Sequence, residues 1–273
     1  MVSAQTADKL QSLNFIAPRR VVVNVGRVRR AQIVLTGGGG TGSFLALHLA
    51  RLAWHARQQH GLELHLSIVD PDIVEERNVG RQNFVPAEVG RYKAEALATR
   101  YGRAFGLPIR FSNRPLEPVH LDTTNAHRDG WLHLLIGAVD SVTARRDLET
   151  ITNGWNGRLW WLDCGNHHTD GQVLLGNSFN ALAPQLGPLG CTGLPLPSRQ
   201  HPELVESLAG PVSHNCALDA LADVQSLMVN QQVAGLAASY VYRLLITNDL
   251  DAYATYFDLL AGSMSSRYIE IEQ

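Results

Sequence analysis

Residues 32–42 run QIVLTGGGGTG, a short apolar segment that ends in five glycines among six positions, and an apolar-rich stretch, 43–54, follows. A strand that passes through bare glycine backbone into a helix gathers N–H groups and the positive end of a helix dipole at one point, which suits a phosphate. Everything C-terminal to this turn is expected to be built around it. Gly37, Gly39 and Gly42 satisfy G-x-G-x-x-G, while Gly37, Gly39, Gly40 and Gly42 satisfy G-x-G-G-x-G, so the turn alone does not choose between the two fingerprints.

Working outward from the turn, 33–35 reads as a core strand and 42–59 as a helix, with Phe44, Leu45, Leu49, Leu52 and Ala53 at helical spacing. The next strand, 64–69, ends at Asp70 one crossover later, as a parallel β-α-β unit requires, which places Asp70 where a nucleotide ribose would lie. Segment 71–89 has no strong periodicity, and its Arg77, Asn78, Arg81 and Gln82 mark a functional loop. A helix is expected over 91–105, strands over 109–111 and 132–138, and a helix including 147–153 beyond Asp140. Further strands are read at 160–164 and 172–175. Residues 184–211 are dense in Pro and Gly and predict a long irregular connection. A long helical stretch over 216–246 carries Leu218, Leu221, Val224, Leu227 and Met228 on one side, and 253–260 and 268–271 alternate as closing strands. Upstream, 1–18 is polar and mixed, and VVVNV at 21–25 is a strand-like lead-in.

With 273 residues, 45% of them hydrophobic and 18% charged, the chain can bury one large core. A net charge of −2 gives no electrostatic reason to expect nucleic acid or lipid as partner. Three widely spaced cysteines do not make a disulfide framework and predict reduced thiols in a cytoplasm. No basic-then-apolar leader is visible, and no apolar run reaches the roughly 18–20 residues of a membrane span.

The series Asp70-Pro-Asp72-Ile-Val-Glu-Glu-Arg-Asn78-Val-Gly-Arg81-Gln82, then Gly90-Arg-Tyr-Lys93, then Asp140 with Arg145 five residues on, resembles the ThiF/MoeB/HesA family, bacterial relatives of ubiquitin-activating enzymes. That family's pattern runs D-x-D-x-V-x-x-x-N-x-x-R-Q, G-x-x-K and D-N-x-x-x-R. The resemblance implies a Rossmann-like three-layer α/β/α fold with a mixed, mainly parallel sheet, an N-terminal arm over 1–30 and one adenylation domain over 31–273. It implies ATP- and magnesium-dependent adenylation of the C-terminal carboxylate of a ubiquitin-like, β-grasp protein. On this pattern the Gly37, Gly39, Gly40 and Gly42 backbone cradles the phosphates and Asp70 binds the ribose. Arg81 and Lys93 neutralise phosphate charge, Asp140 holds the magnesium, and Asn78 and Gln82 orient by hydrogen bonding. Cations and a metal between two anions supply the electrostatic stabilisation that attack on the α-phosphorus needs. Ser141 stands where the family has asparagine.

Two cysteines are candidates for a subsequent thioester. Cys191 in Cys191-Thr192-Gly-Leu-Pro-Leu-Pro197, followed by His201-Pro202-Glu203, resembles the C-T-x-x-x-x-P motif of eukaryotic activating enzymes, and a crossover loop over about 183–214 would carry it to the adenylate. Cys216 precedes the long helix and is the alternative, since a helix N-terminus raises the thiolate fraction. Cys164 reads as a core residue. The Cys-x-x-Cys pairs that bind zinc in many family members are absent, so zinc is not expected.

The compact length and the Cys191 segment most resemble the ThiF-type component of plasmid-associated PRTRC systems, which implies a conjugating-enzyme-like partner, and the family implies a homodimer. An NAD-dependent oxidoreductase would explain the glycines and Asp70 but leave Arg81, Gln82 and Lys93 without a role. A non-catalytic half of a heterodimer would not need the Arg, Lys and Asp set.

Overall fold

The computed structural model describes residues 19–122, 124, 130–206 and 227–271. Cys216 and the start of the expected long helix lie outside them, as does the arm up to residue 18. After the two-residue strand β1 (Arg19–Arg20) the chain enters β2 (Arg30–Thr36), helix α1 (Gly40–His55) and β3 (Glu63–Val69). Helix α2 (Lys93–Phe105), β4 (Arg110–Ser112), β5 (Trp131–Gly137), α3 (Val142–Gly154), β6 (Leu159–Asn166) and β7 (Asp170–Gly176) follow. A small hairpin, β8 (Gln185–Gly187) with β9 (Gly190–Gly193), then α4 (Leu227–Tyr242) and strands β10 (Ala252–Asp258), β11 (Ser263–Tyr268) and β12 (Glu270–Ile271) complete the described chain.

Eight strands form one mixed sheet in the order β11-β10-β7-β6-β5-β2-β3-β4. β2 pairs in parallel with β3 on one side and β5 on the other, so chain order reverses beside β2, and β7, β10 and β11 add an antiparallel wing. Strand alternation sorts the side chains into two cores. Ile33 and Leu35, Leu134 and Ile136, and Trp160 and Leu162 pack against α1, α2 and α4. Val34, Leu135, Leu159 and Trp161 pack against Leu148, Ile151 and Trp155 of α3 and the turn after it. Each large aliphatic side chain so buried contributes about 1.5–3 kcal/mol before conformational entropy is charged. The result is the expected three-layer α/β/α arrangement. A strand-order reversal of this kind opens a crevice beyond the carboxyl ends of the parallel strands.

Three local expectations differ from the structure. The Pro- and Gly-dense stretch is ordered where described: Pro197 opens a helical turn, Pro202 opens a 3-10 turn, and β8–β9 is stitched to the lead-in by Cys191 N–H to Val22 O at 2.8 Å and Asn24 N–H to Cys191 O at 2.7 Å. Proline at the first helical position costs no hydrogen bond, so its density punctuates turns here. Met228, expected on the packed side of its helix, is 52% exposed. The buried stripe runs through Val229, Val233, Ala237 and Val241 instead, toward α1 and strands β6 and β7. β11 is not expected from local pattern, because SMSSRY is a polar edge strand without apolar alternation.

Candidate functional site

A cleft of about 950 Å³ lies at the carboxyl ends of β2, β3, β5 and β6 and continues across the antiparallel wing. Gly37, Gly39 and Gly40 form its glycine wall, and Asp70, Asp72, Arg81, Gln82, Lys93 and Asp140 stand around the same cavity. The glycine turn delivers the first turn of α1, whose leading N–H groups have no intrahelical acceptor. Gly39 is the helix cap without any side chain to satisfy them. Gly42 lies behind this wall: a Cβ there would sit 1.8 Å from the Gly37 carbonyl oxygen, so it lets the turn fold onto the helix.

Asp70 follows β3 and is 4% exposed. Its carboxylate accepts the Gly38 N–H at 2.5 Å and the Asp72 N–H at 2.8 Å, which ties the end of β3 to the glycine turn. Burial raises its pKa above the ordinary carboxylate value, and the two backbone donors and Lys93 oppose that shift. Lys93, the first residue of α2, donates from Nζ to Asp72 Oδ2 at 2.9 Å. Arg81 and Gln82 come from the turn after Asn78. Asn78 itself does not line the cleft: it is buried, its Oδ1 accepts the Glu75 N–H at 2.9 Å, and its carbonyl accepts the Gln82 N–H at 2.8 Å. It shapes the turn that presents Arg81 and Gln82. Asn83 then fastens this turn to α1 and α2, donating from its backbone N–H to Ser43 Oγ at 2.9 Å and from Nδ2 to the Tyr101 hydroxyl at 2.7 Å.

On the opposite side Asp140 is exposed at the rim, and Ser141 caps α3 by accepting the Ala144 N–H at 3.2 Å. Serine thus does the N-cap work at the position where asparagine was expected. Arg145, one turn further, lines the cleft and pairs with Asp163 at 3.3 Å. Asp163 is fully buried, its pKa is raised by desolvation, and its Oδ2 has no partner.

Several cleft residues were not singled out in the sequence. Asn230 of α4 is 1% exposed; its Oδ1 accepts from Thr41 Oγ1 at 3.2 Å and from Asn166 Nδ2 at 3.1 Å, while its own Nδ2 has no partner. A lone Asn in an apolar helical stretch was the available signal. Asn166, Gln172 and Tyr256 line the antiparallel half, and nothing in their spacing marks them. Cys164 also lines the cleft, though it is 2% exposed and burial pushes its thiol far up.

Cys191 is not brought to the cleft. It sits in β9 with no exposed surface, its thiol donates to the Gly193 carbonyl at 3.2 Å, and burial raises its pKa. Among the described residues no group of three His, Cys, Asp or Glu side chains could cage a metal, and no helix is long and apolar enough to cross a membrane. Magnesium needs no such cage, since one or two carboxylates suffice when substrate phosphates supply the other oxygens, and Asp140 at the rim fits that donor set.

Comparison with solved structures gives PaaA, at 17% identity and a TM-score of 0.58 over 90% of this chain and 66% of that one. E. coli MccB with ATP aligns at 16% identity and 0.57, again over 90% and 66%. The microcin C7 biosynthetic enzyme MccB in complex with N-formylated MccA aligns at 17% and 0.55, over 88% and 65%. The chain therefore spans about two thirds of the length of these neighbours. No curated protein matches the sequence. The profile of the ThiF family matches residues 22–273, nearly the whole sequence, and the chain belongs to that family.

Proposed function

We propose that the protein adenylates the C-terminal carboxylate of a partner polypeptide, a ubiquitin-like β-grasp protein, at the expense of ATP. The observation that carries the reading is the convergence of Arg81, Lys93 and Asp140 on one cavity with the glycine wall. A carboxylate approaching the α-phosphorus meets a like-charged group, and two cations lining the shared space lower that repulsion where the transition state concentrates charge. Magnesium, held by Asp140 and the nucleotide's own phosphates, would add Lewis-acid charge neutralisation there. Gln82 and Asn230 each keep a buried amide atom without a partner beside the cleft, which gives a ligand polar groups to satisfy.

The cleft has two halves of different chemistry. The parallel-strand half carries glycine N–H groups, Arg81 and Lys93, suited to phosphates. The antiparallel half carries Gly165, Asn166, Gly171, Gln172 and Ser265 together with Asp170, Tyr256 and Asp258, among the described residues a polar surface without cations from Lys or Arg that offers hydrogen-bond partners to an extended peptide tail. The similar structures of E. coli MccB with ATP, and with AMPCPP together with MccA, support a nucleotide and a second substrate as ligands of this fold. A conjugating-enzyme-like protein as later recipient and self-association as a homodimer complete the reading. A thioester at Cys191 would require the β8–β9 hairpin to open, and Cys216 lies outside the described residues.

The test is ATP–pyrophosphate exchange driven by a ubiquitin-like protein ending in Gly-Gly. Exchange that depends on the carrier's free carboxylate supports the reading; its absence, with NADH bound tightly instead, replaces it with the oxidoreductase.

A further inference from the structure

His201-Pro202-Glu203 follows the Cys191 segment in the chain. In the fold it lies apart from Cys191 and touches Tyr256, a residue of the cleft wall. Tyr256 of β10, in register between Gln172 of β7 and Ser265 of β11, lines the antiparallel half. Its hydroxyl lies 2.7 Å from His201 Nε2, and His201 Nδ1 lies 2.7 Å from Glu203 Oε1. We propose that Tyr256, His201 and Glu203 form a proton relay that accepts the proton of an amine attacking the activated carboxyl, so that the same cleft both activates and transfers the acyl group. This inference rests on the adenylation reading.

The order of the three groups sets the direction of proton flow. Glu203 is largely exposed, and its hydrogen bond with His201 holds its carboxyl below the ordinary range, so it is a carboxylate at neutral pH. It therefore accepts the Nδ1 proton, which leaves Nε2 as the acceptor for the Tyr256 hydroxyl. Burial raises the Tyr256 phenol, which stays protonated and can only pass a proton through. The relay is fixed at its base: Pro202 confines His201 to extended backbone (φ −139°, ψ 85°), and the His201 N–H donates to the Pro197 carbonyl at 2.9 Å.

An amine needs such an acceptor more than a thiol does. A thiol can lose its proton before attack, whereas an amine nitrogen becomes cationic on forming the new bond and must lose a proton for the product to persist. In the step, the amine nitrogen bonds to the acyl carbon and the bond from that carbon to the phosphate oxygen breaks, releasing AMP. One N–H proton passes to Tyr256 Oη as the phenol proton passes to His201 Nε2, and the imidazolium, paired with Glu203, returns it to solvent. Other charges face the relay. Arg267 lies over the Tyr256 ring at 5.5 Å, Tyr253 acts on the same phenol, and Asp163 with its Arg145 partner lies within electrostatic reach of His201.

The experiment uses the full chain, ATP, a ubiquitin-like protein ending in Gly-Gly as donor and glycinamide as acceptor. Pyrophosphate exchange reads adenylation and mass spectrometry reads the amide. Tyr256→Phe is expected to lower the rate of amide formation relative to the rate of exchange by about 10²-fold or more. Glu203→Gln should lower kcat for amide formation without raising the KM for glycinamide, because His201 Nδ1 loses the carboxylate that fixes its tautomer. Amide formation at the wild-type rate in Tyr256→Phe overturns the relay. So does a parallel loss of exchange, or a wild-type protein that makes amide no faster than solution chemistry or transfers only to a thiol. A wild-type protein with no exchange overturns the adenylation reading beneath it.

Discussion

Lys93 Nζ is held 2.9 Å from Asp72 Oδ2, with the lysine side chain 9% exposed and the aspartate 65% exposed. The cation assigned to phosphate is therefore parked on the second acid of Asp70-Pro-Asp72, within the cleft it serves. A triphosphate must compete with Asp72 for it. Because Asp72 is well solvated, the pair itself stabilises the fold little.

Lys93→Ala should consequently separate activity from stability. Pyrophosphate exchange is expected to fall by about 10²-fold or more, the size of effect that loss of one charged stabiliser has in a closed site. The melting temperature, read by circular dichroism, should stay close to wild type. A large loss of stability with undiminished exchange per folded molecule would remove Lys93 from the site.

The glycines should divide the same way. An added Cβ at Gly39 meets nothing closer than Gln82 Nε2 at 3.9 Å, so Gly39→Ala should fold normally and weaken ATP binding by intruding on the phosphate space. At Gly42 the added atom would lie 1.8 Å from the Gly37 carbonyl oxygen, and Gly42→Ala should cost about 1–3 kcal/mol or more in urea unfolding. Equal stability of the two variants would contradict this geometry.

Arg145 and Asp163 couple the cleft wall to the core. Arg145→Ala leaves a fully buried carboxylate unpaired and should destabilise by about 3–5 kcal/mol. The pH dependence has a definite sign. The folded pKa of Asp163 is raised above its unfolded value of 3.8, so the fold binds this proton more tightly than the unfolded chain does. Its contribution is greatest below pH 3.8 and declines as pH rises through the raised value. Wild-type stability measured against Asp163→Asn should fall as pH climbs from about 4 toward neutrality. A difference that grows with pH would show that the Arg145 pairing outweighs burial.

Cys191 should resist alkylation in the native protein, because the thiol is sealed in β9 and burial keeps it protonated. Peptide mapping after brief iodoacetamide treatment should find it unmodified until denaturant is added. Cys191→Ala should leave pyrophosphate exchange intact. Rapid native labelling would show that the hairpin opens readily enough to offer this thiol.

Much of the fold is written in local pattern. The 33–35 core, the glycine turn, the helix after it and Asp70 at the end of the next strand all follow from periodicity and chain stiffness, which act over a few residues. The motifs that carry Arg81, Lys93 and Asp140 likewise imply one chemistry through their resemblance to the ThiF/MoeB/HesA pattern. What local pattern does not carry is partnership across distance. Asn230 reaches Thr41 only because α4 packs on α1, Asp163 meets Arg145 only because α3 lies over β6, and Tyr256 meets His201 only because β10 docks against β7. The same holds for Cys191, whose motif suggested a mobile loop while its strand and the Val22 carbonyl hold it shut. Propensity and spacing are properties of neighbours in the chain; burial, desolvation and hydrogen-bond partners belong to neighbours in space, and only the packed sheet and its helices choose those.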